Sequence, residues 1–271
     1  MIINILENIS AFQNLIYIAA SILFITGIKM LGKEDTAVKG NLLSALAMFI
    51  AVLITFLDPD VQVNPFLILA GIGVGAIVGS LIALKVKMTS IPEMVALFNG
   101  FGGLATFFIA WSEFNSVPDN TFQYVLIMLT TYIGGVTFSG SIVAYGKLSE
   151  KLKIQKTSII TKFFTTIFYV SIIYLIYSIL IANIFIPPFD FFIVLLALTL
   201  LGGIGFVIPI GGGDMPVVIS LLNSFSGIAA AFAGLLLLNN VLIVAGSLVG
   251  ASGLILTVIM AKAMNRSIGN I

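Results

Sequence analysis

An all-α polytopic membrane protein is the fold class this sequence predicts: a bundle of about nine transmembrane helices, with the N-terminus outside and the C-terminus in the cytoplasm. Three observations carry that prediction. The 271-residue chain is 60% hydrophobic and only 8% charged, against roughly 25% charged in a soluble domain, so lipid must solvate its apolar surface. Nine windows of mainly apolar residues fill nearly the whole chain, each close to the ~20 residues a spanning helix needs. The charges then fall on alternate sides of those windows. The runs are too long and unbroken for a β-barrel, whose strands alternate over about ten residues.

The first window, 11–31, reads as a retained helix: no basic stretch precedes it, the first charge is Glu7, and no small-residue cleavage site stands out. The second is 38–57. The third, 65–84, repeats G-x-x-x-G at Gly71, Gly75 and Gly79. The fourth, 91–111, carries Ala96, Asn99, Gly103 and Thr106, and the fifth, 121–145, carries Thr130, Gly134, Thr137 and Ser141. The sixth and seventh, 162–185 and 189–209, are bulky and aromatic, as scaffold or lipid-facing helices should be. The eighth, 215–238, carries Ser220, Asn223, Gly227, Ala230 and Gly234; the ninth, 240–263, carries Gly246, Gly250, Gly253 and Thr257. Spacing of three or four places each set on one helix face. Small residues let helices approach closely in lipid, so these faces predict either tight packing alone or a narrow hydrated path between five helices.

With the N-terminus placed outside, all twelve basic residues fall on one side: Lys29, Lys33 and Lys39; Lys85 and Lys87; Lys147, Lys151, Lys153, Lys156 and Lys162; Lys262 and Arg266. The other side holds Glu7, Asp58, Asp60, Glu113, Asp119 and Asp190, with no base. Cytoplasmic loops carry the excess of Lys and Arg, and that fixes the predicted orientation. The longest soluble stretch, KLSEKLKIQKTS at 147–158, reads either as a solvated loop near anionic headgroups or as a docking surface for a cytoplasmic partner. No internal repeat is evident.

Several chemistries are excluded. No cysteine is present, so there is no thiol chemistry, and there is no histidine. Two glycine-rich runs, 66–80 and 202–213, invite a nucleotide-loop reading. The first spaces its glycines as G-x-G-x-x-x-G (Gly73, Gly75, Gly79), one residue off the fingerprint, which also needs a strand–turn–helix context; the second fails similarly.

The stretch GGGDMPVVISLLNSFSGIAAAFAG, 211–234, gathers polar groups inside grease. Asp214 before Pro216 reads as a helix cap, with proline in the first turn where its missing N–H is harmless. Ser90-Ile91-Pro92-Glu93 reads as a capping box at the start of the fourth helix. Both acids also lie at the predicted cytoplasmic mouth. Asn99 and Asn223 sit about two turns inside their helices, and an amide there is either interhelical glue or part of a water-lined route.

The 211–234 stretch, together with NNVLIVAGSLVGASGLILTVIMAKAMNRS up to residue 267, resembles the membrane domain of the β subunit of proton-translocating nicotinamide nucleotide transhydrogenase. KEDTAVKGN (33–41), KMTSIPEMVALFNGFGGLA (87–105) and GVTFSGSIVAYGKL (135–148) agree in order, so the resemblance covers almost the whole chain. It implies a single transmembrane domain over 1–271 that conducts a proton, with NAD(H) and NADP(H) bound by soluble partner domains and no cofactor or metal bound by this chain. It implies an NADP(H)-binding domain beyond residue 271, an α subunit or subunits as partners, and a dimeric complex. It also implies membrane lipid as the surroundings, no nucleic acid, and a bacterial inner membrane ahead of a mitochondrial one. Asp214, Asn223, Asn99, Glu93 and Ser141 become the candidate pathway and coupling residues. Asp214 matches the family's acid at the channel mouth, Asn223 its polar channel residue, and Arg266 its basic residue at the hinge to the NADP(H) domain. One departure matters: the family's proton-handling histidine normally sits where this chain has Asn99, which does not titrate. A histidine on a partner membrane helix is the expected substitute. A stand-alone proton channel or transporter, or an assembly subunit, are the other readings.

Overall fold

Polar side chains and proline set the helix boundaries of this chain. The structure, a computed structural model, describes residues 2–56, 64–116, 118, 120–153, 158–182, 184, 187–267 and 269. Among them nine α-helices are long and apolar enough to cross a membrane, and there is no strand. They are α1 (Ile2–Leu31), α2 (Ala37–Phe56), α3 (Pro65–Lys85), α4 (Ile91–Asn115), α5 (Thr121–Leu148), α6 (Ile159–Ala182), α7 (Phe189–Val207), α8 (Met215–Leu236) and α9 (Asn240–Ala263). They match the nine predicted windows to within a few residues, apart from α1, which starts nine residues earlier than its window of 11–31. The first glycine-rich run lies within α3, and the second runs from the last turns of α7 into a 3-10 turn at Gly212–Asp214, neither with the strand a nucleotide loop requires. Of the charges behind the predicted orientation, Asp58, Asp60, Asp119 and Lys156 lie outside the described residues.

Asparagine starts three helices. Asn64, Asn120 and Asn239 accept from the backbone N–H of Phe66, Gln123 and Leu242 at 2.9–3.0 Å, each satisfying one of the donors a helix start leaves open. Ser158 starts α6, its hydroxyl accepting from Thr161 N at 3.1 Å. Three helices end on a left-handed residue that is not glycine: Glu150 (φ 54°) after α5, Leu238 (φ 53°) after α8 and Asn265 (φ 54°) after α9. After α8 and α9 the next N–H reaches back five residues, Asn239 to Gly234 O and Arg266 to Ala261 O, the bond that closes a Schellman turn. The backbone of Arg266 is thereby pinned to the end of α9.

The chain divides into two compact units, Met1–Met88 and Thr89–Ile271. In the first, α1 and α2 form an antiparallel pair whose glycines touch the facing helix: a Cβ on Gly40 would fall 2.8 Å from the Met30 side chain. Tyr17 and Thr55 join the pair by a hydroxyl–hydroxyl bond of 2.8 Å. No residue of α3 is buried.

The second unit is layered along its helices. At one end an apolar cluster gathers Phe107, Phe114, Tyr124, Ile127, Met128 and Phe192, with Phe114 stacked on Phe192 at 4.2 Å. At the other end Val143, Val207, Met215, Val218 and Leu222 form a second cluster. Between the two, glycines, serines and threonines make the closest approaches among α4, α5 and α7. A Cβ on Gly103 would lie 2.8 Å from Gly134 O, and one on Gly134 would lie 2.8 Å from Gly103 O. These are backbone-to-backbone approaches that only glycine permits. The predicted small-residue faces of α4 and α5 therefore meet each other, and that of α9 meets α8.

Candidate functional site: a three-helix polar junction and a charged helix mouth

Asn99 joins three helices. Its Nδ2 donates to Ser141 Oγ on α5 at 3.0 Å, and its Oδ1 accepts from Ser226 Oγ on α8 at 2.7 Å. Position 99 lies one helical turn from Gly103, so the glycine contact that brings α4 against α5 also delivers the amide to Ser141. A Cβ on Gly100 would meet the Ser141 Cβ at 3.1 Å, and Ser141 is fully buried. In a membrane interior every polar group needs a partner within the protein, and one amide here serves two hydroxyls. The junction can transmit hydrogen bonds between three helices. It holds no group that titrates near neutrality.

Asn223 stands apart from this junction. It lies on the exposed side of α8, and among the described residues its amide meets no hydrogen-bond partner. The buried stripe of α8 instead runs through Ser220, Ser224 and Gly227. Ser224 donates to Gly250 O at 2.6 Å, Thr257 to Ser220 Oγ at 3.1 Å, and a Cβ on Gly253 would lie 2.9 Å from Ser224. Ser224 and Ser226 stand four and three residues on from Ser220 and Asn223, the helical spacing that signals them in the sequence.

The second feature is charged. Asp214 ends a short 3-10 turn, Gly212–Asp214, that leads into α8. Its carboxylate makes no capping bond to the helix, contrary to the cap expected from sequence. Arg266 is its partner, with Nε 3.6 Å from Oδ1, Asp214 being mostly buried and Arg266 half exposed. The Schellman turn holds Arg266 and the 3-10 turn holds Asp214, so the pair links the start of α8 to the chain leaving α9. Glu93, half-buried in the first turn of α4, is well placed for the positive end of the helix dipole. The expected capping box does not form, because Ser90 makes no side-chain cap bond. The 3-10 turn Met88–Ser90 precedes α4 much as Gly212–Asp214 precedes α8, and each is followed by proline in the first helical turn.

Sequence alone missed Lys147. It is not part of a solvated loop. Its Nζ donates to the carbonyls of Ile208 and Ile210 at 2.5 Å and of Val207 at 3.3 Å. These carbonyls lie at and just beyond the end of α7, where only Val207 O has a backbone partner among the described residues, Ile210 N, and a cation there also meets the negative end of the helix dipole. Lys147 thus fastens α5 to the segment that runs directly into Gly211–Asp214. Lys147→Met should lower stability by about 2 kcal/mol, the scale of a charged hydrogen bond. Hydrogen exchange should rise selectively over 207–214; uniform or unchanged exchange there would reject this role.

A family model for the NAD(P) transhydrogenase beta subunit matches residues 13–271. The chain belongs to the NAD(P) transhydrogenase beta subunit family. Among its relatives are two sequences named NAD(P) transhydrogenase subunit beta, one from Rhodospirillum rubrum and one from a defined strain of that species. Each is 38% identical over 264 residues, covering 94% of this chain and 56% of the relative. The chain therefore spans little more than half the length of these beta subunits. Asn99, Ser141, Asp214, Ser226 and Arg266 all fall inside the region matched to the transhydrogenase beta subunit, which is a multi-pass membrane segment here.

Proposed function

We propose that this chain is the membrane-embedded, proton-translocating part of an NAD(P) transhydrogenase. The reaction it serves is NADH + NADP⁺ + H⁺(outside) → NAD⁺ + NADPH + H⁺(inside). The hydride passes between nucleotides held on soluble domains, and this chain passes the proton. Family membership supports the reading. The observation that carries it is the Asn99–Ser141–Ser226 junction, a hydrogen-bonded polar layer set between two apolar clusters of one helix bundle. Polar groups within spanning helices are costly and mark transport paths.

Asp214 and Arg266 are the proposed coupling pair. They lie at the end of the bundle where α9 leaves, at the cytoplasmic face if the distribution of Lys and Arg reports orientation, facing an NADP(H)-binding domain. A proton crossing 100 mV supplies ~2.3 kcal/mol, and that would bias a nucleotide ratio about 50-fold. Since Asn99 cannot exchange a proton, the titrating group is proposed to come from a membrane helix of the α subunit. The complex is proposed to be a dimer in a bacterial inner membrane.

Asp214→Ala in the complete complex should lower proton translocation and reverse transhydrogenation in the same proportion. Full pumping in liposomes with this variant would reduce Asp214 to a structural residue and remove the coupling role.

A further inference from the structure

Three threonines of α5 break the habit of helical hydroxyls. Inside a helix, a Ser or Thr side chain normally donates to the carbonyl three or four residues back. Thr106, Ser139 and Thr199 all do so in this bundle, at 2.9–3.0 Å. Thr130, Thr131 and Thr137 do not. Each is fully buried, and its Oγ1 has no hydrogen-bond partner among the described residues.

Two of these three share a face with the polar junction. Thr130, Gly134, Thr137 and Ser141 recur at steps of three, four and seven, so they line one side of α5. That side meets α4, because a Cβ on Gly103 would lie 3.0 Å from the Thr137 Cβ. Thr131 lies a third of a turn away and is not part of this line. Ser141 accepts from Asn99, yet its own proton has no acceptor among the described residues. Thr137 and Ser141, four apart, have Cβ atoms about 5–6 Å from each other, a gap that one water spans with two bonds. Between Thr130 and Thr137 the axis rises ~10.5 Å, and at mid-height Gly134 is closed by direct backbone contact with Gly103.

A buried hydroxyl without a partner is costly, and internal water is the usual remedy where other polar groups stand within reach. We propose that α5 carries two internal water sites on its α4 side, one bridging Thr137 and Ser141 and one at Thr130, separated by the Gly103–Gly134 contact. The first site extends the Asn99 junction by one turn. The second is cut off from it by a dry constriction where the two helix backbones touch. The sites themselves stand on the geometry alone. Only their use, as the wet stations on either side of a barrier to the proton, rests on the function proposed above.

Valine replaces threonine with the same shape and no hydroxyl, so the sign of its effect discriminates. If Thr137 were dry, Thr137→Val would remove an unsatisfied group and raise the melting temperature of the assembled complex. With a bridging water, Thr137→Val strands that water against Ser141, and the melting temperature falls by a few degrees. Infrared difference spectra in H₂¹⁶O and H₂¹⁸O read the water directly. Thr137→Val should abolish an isotope-sensitive internal-water band that Thr137→Ser and Thr130→Val both retain. Thr130→Val should remove a separate band. A raised melting temperature for Thr137→Val, or identical water bands in all variants, overturns the proposal. If the bands are lost as expected but pumping stays intact, the water sites stand and the proton-path reading of this seam fails.

Discussion

Gly227→Leu is expected to separate α8 from α9. The two helices touch through backbone at this point: a Cβ on Gly227 would run into the backbone nitrogen of Gly250, and one on Gly246 into that of Ala231. No flexible side chain is available to yield, so the helices must part. Overpacking alone costs about 1–3 kcal/mol. Parting the helices also breaks the bonds from Ser224 to Gly250 O and from Thr257 to Ser220, each worth about 0.6 kcal/mol on the average for helices in membranes. Against the 5–15 kcal/mol that typically holds a fold together, the sum removes a large share. Size-exclusion after graded heating in mild detergent should show Gly227→Leu lost well below the parent, with Gly227→Ala between them. A Gly227→Leu protein that melts with the parent would show that α8 and α9 do not pack through this glycine stripe. The same variant should displace Asp214 from Arg266, since those residues sit on the chain entering α8 and leaving α9.

That stripe is legible in the sequence because its chemistry is periodic. Gly246, Gly250, Gly253 and Thr257 recur at helical spacing, and in lipid only small residues let two backbones meet. The helix windows were equally legible, since hydrocarbon thickness dictates their length. Partner choice was not. On α8 the sequence offers Ser220, Asn223, Ser224 and Ser226 within two turns, and residues 223 and 224 differ by only 100° around the axis. Which of them faces α9 depends on where the Gly250 carbonyl falls, a property of the neighbouring helix. The structure selects Ser224 for that contact and Ser226 for Asn99.

Single charges are misleading in this sequence. Lys147 counted as a loop base, yet it reaches three carbonyls about sixty residues away in sequence. Asp214 and Glu93 occupy cap-like positions, and their motifs are those of capping residues. Each helix is entered through a 3-10 turn instead, which orients the cap residue away from the first N–H groups. No local pattern separates these outcomes, because both place an acid and a proline at a helix start.

Asn99→Leu should give the largest functional loss of any single change in the bundle. Leucine fills a similar volume and offers neither donor nor acceptor. Ser141 would lose the amide that donates to it, and Ser226 its near acceptor Oδ1, keeping only the Asn99 backbone carbonyl at 3.4 Å. Two hydroxyls on two different helices would then each be short of a partner inside the bundle, where an unmet polar group costs ~1–3 kcal/mol. Adding ~1.4 kcal/mol to a barrier slows a step tenfold, so proton-coupled turnover in liposomes should fall by at least about that factor. Asn99→Gln tests geometry, since the same amide one methylene further out cannot satisfy both hydroxyls from the same backbone position. Asn99→His tests chemistry: it places a titrating ring where the family resemblance expects one, and should retain more activity than Asn99→Leu. A double-mutant cycle decides whether the junction acts as a unit. Ser226→Ala should cost clearly less in the Asn99→Leu background than alone, because their shared bond is already gone. Additive losses would mean that Asn99 and Ser226 act independently, and the three-helix junction would then be a packing contact with no part in the proton's passage.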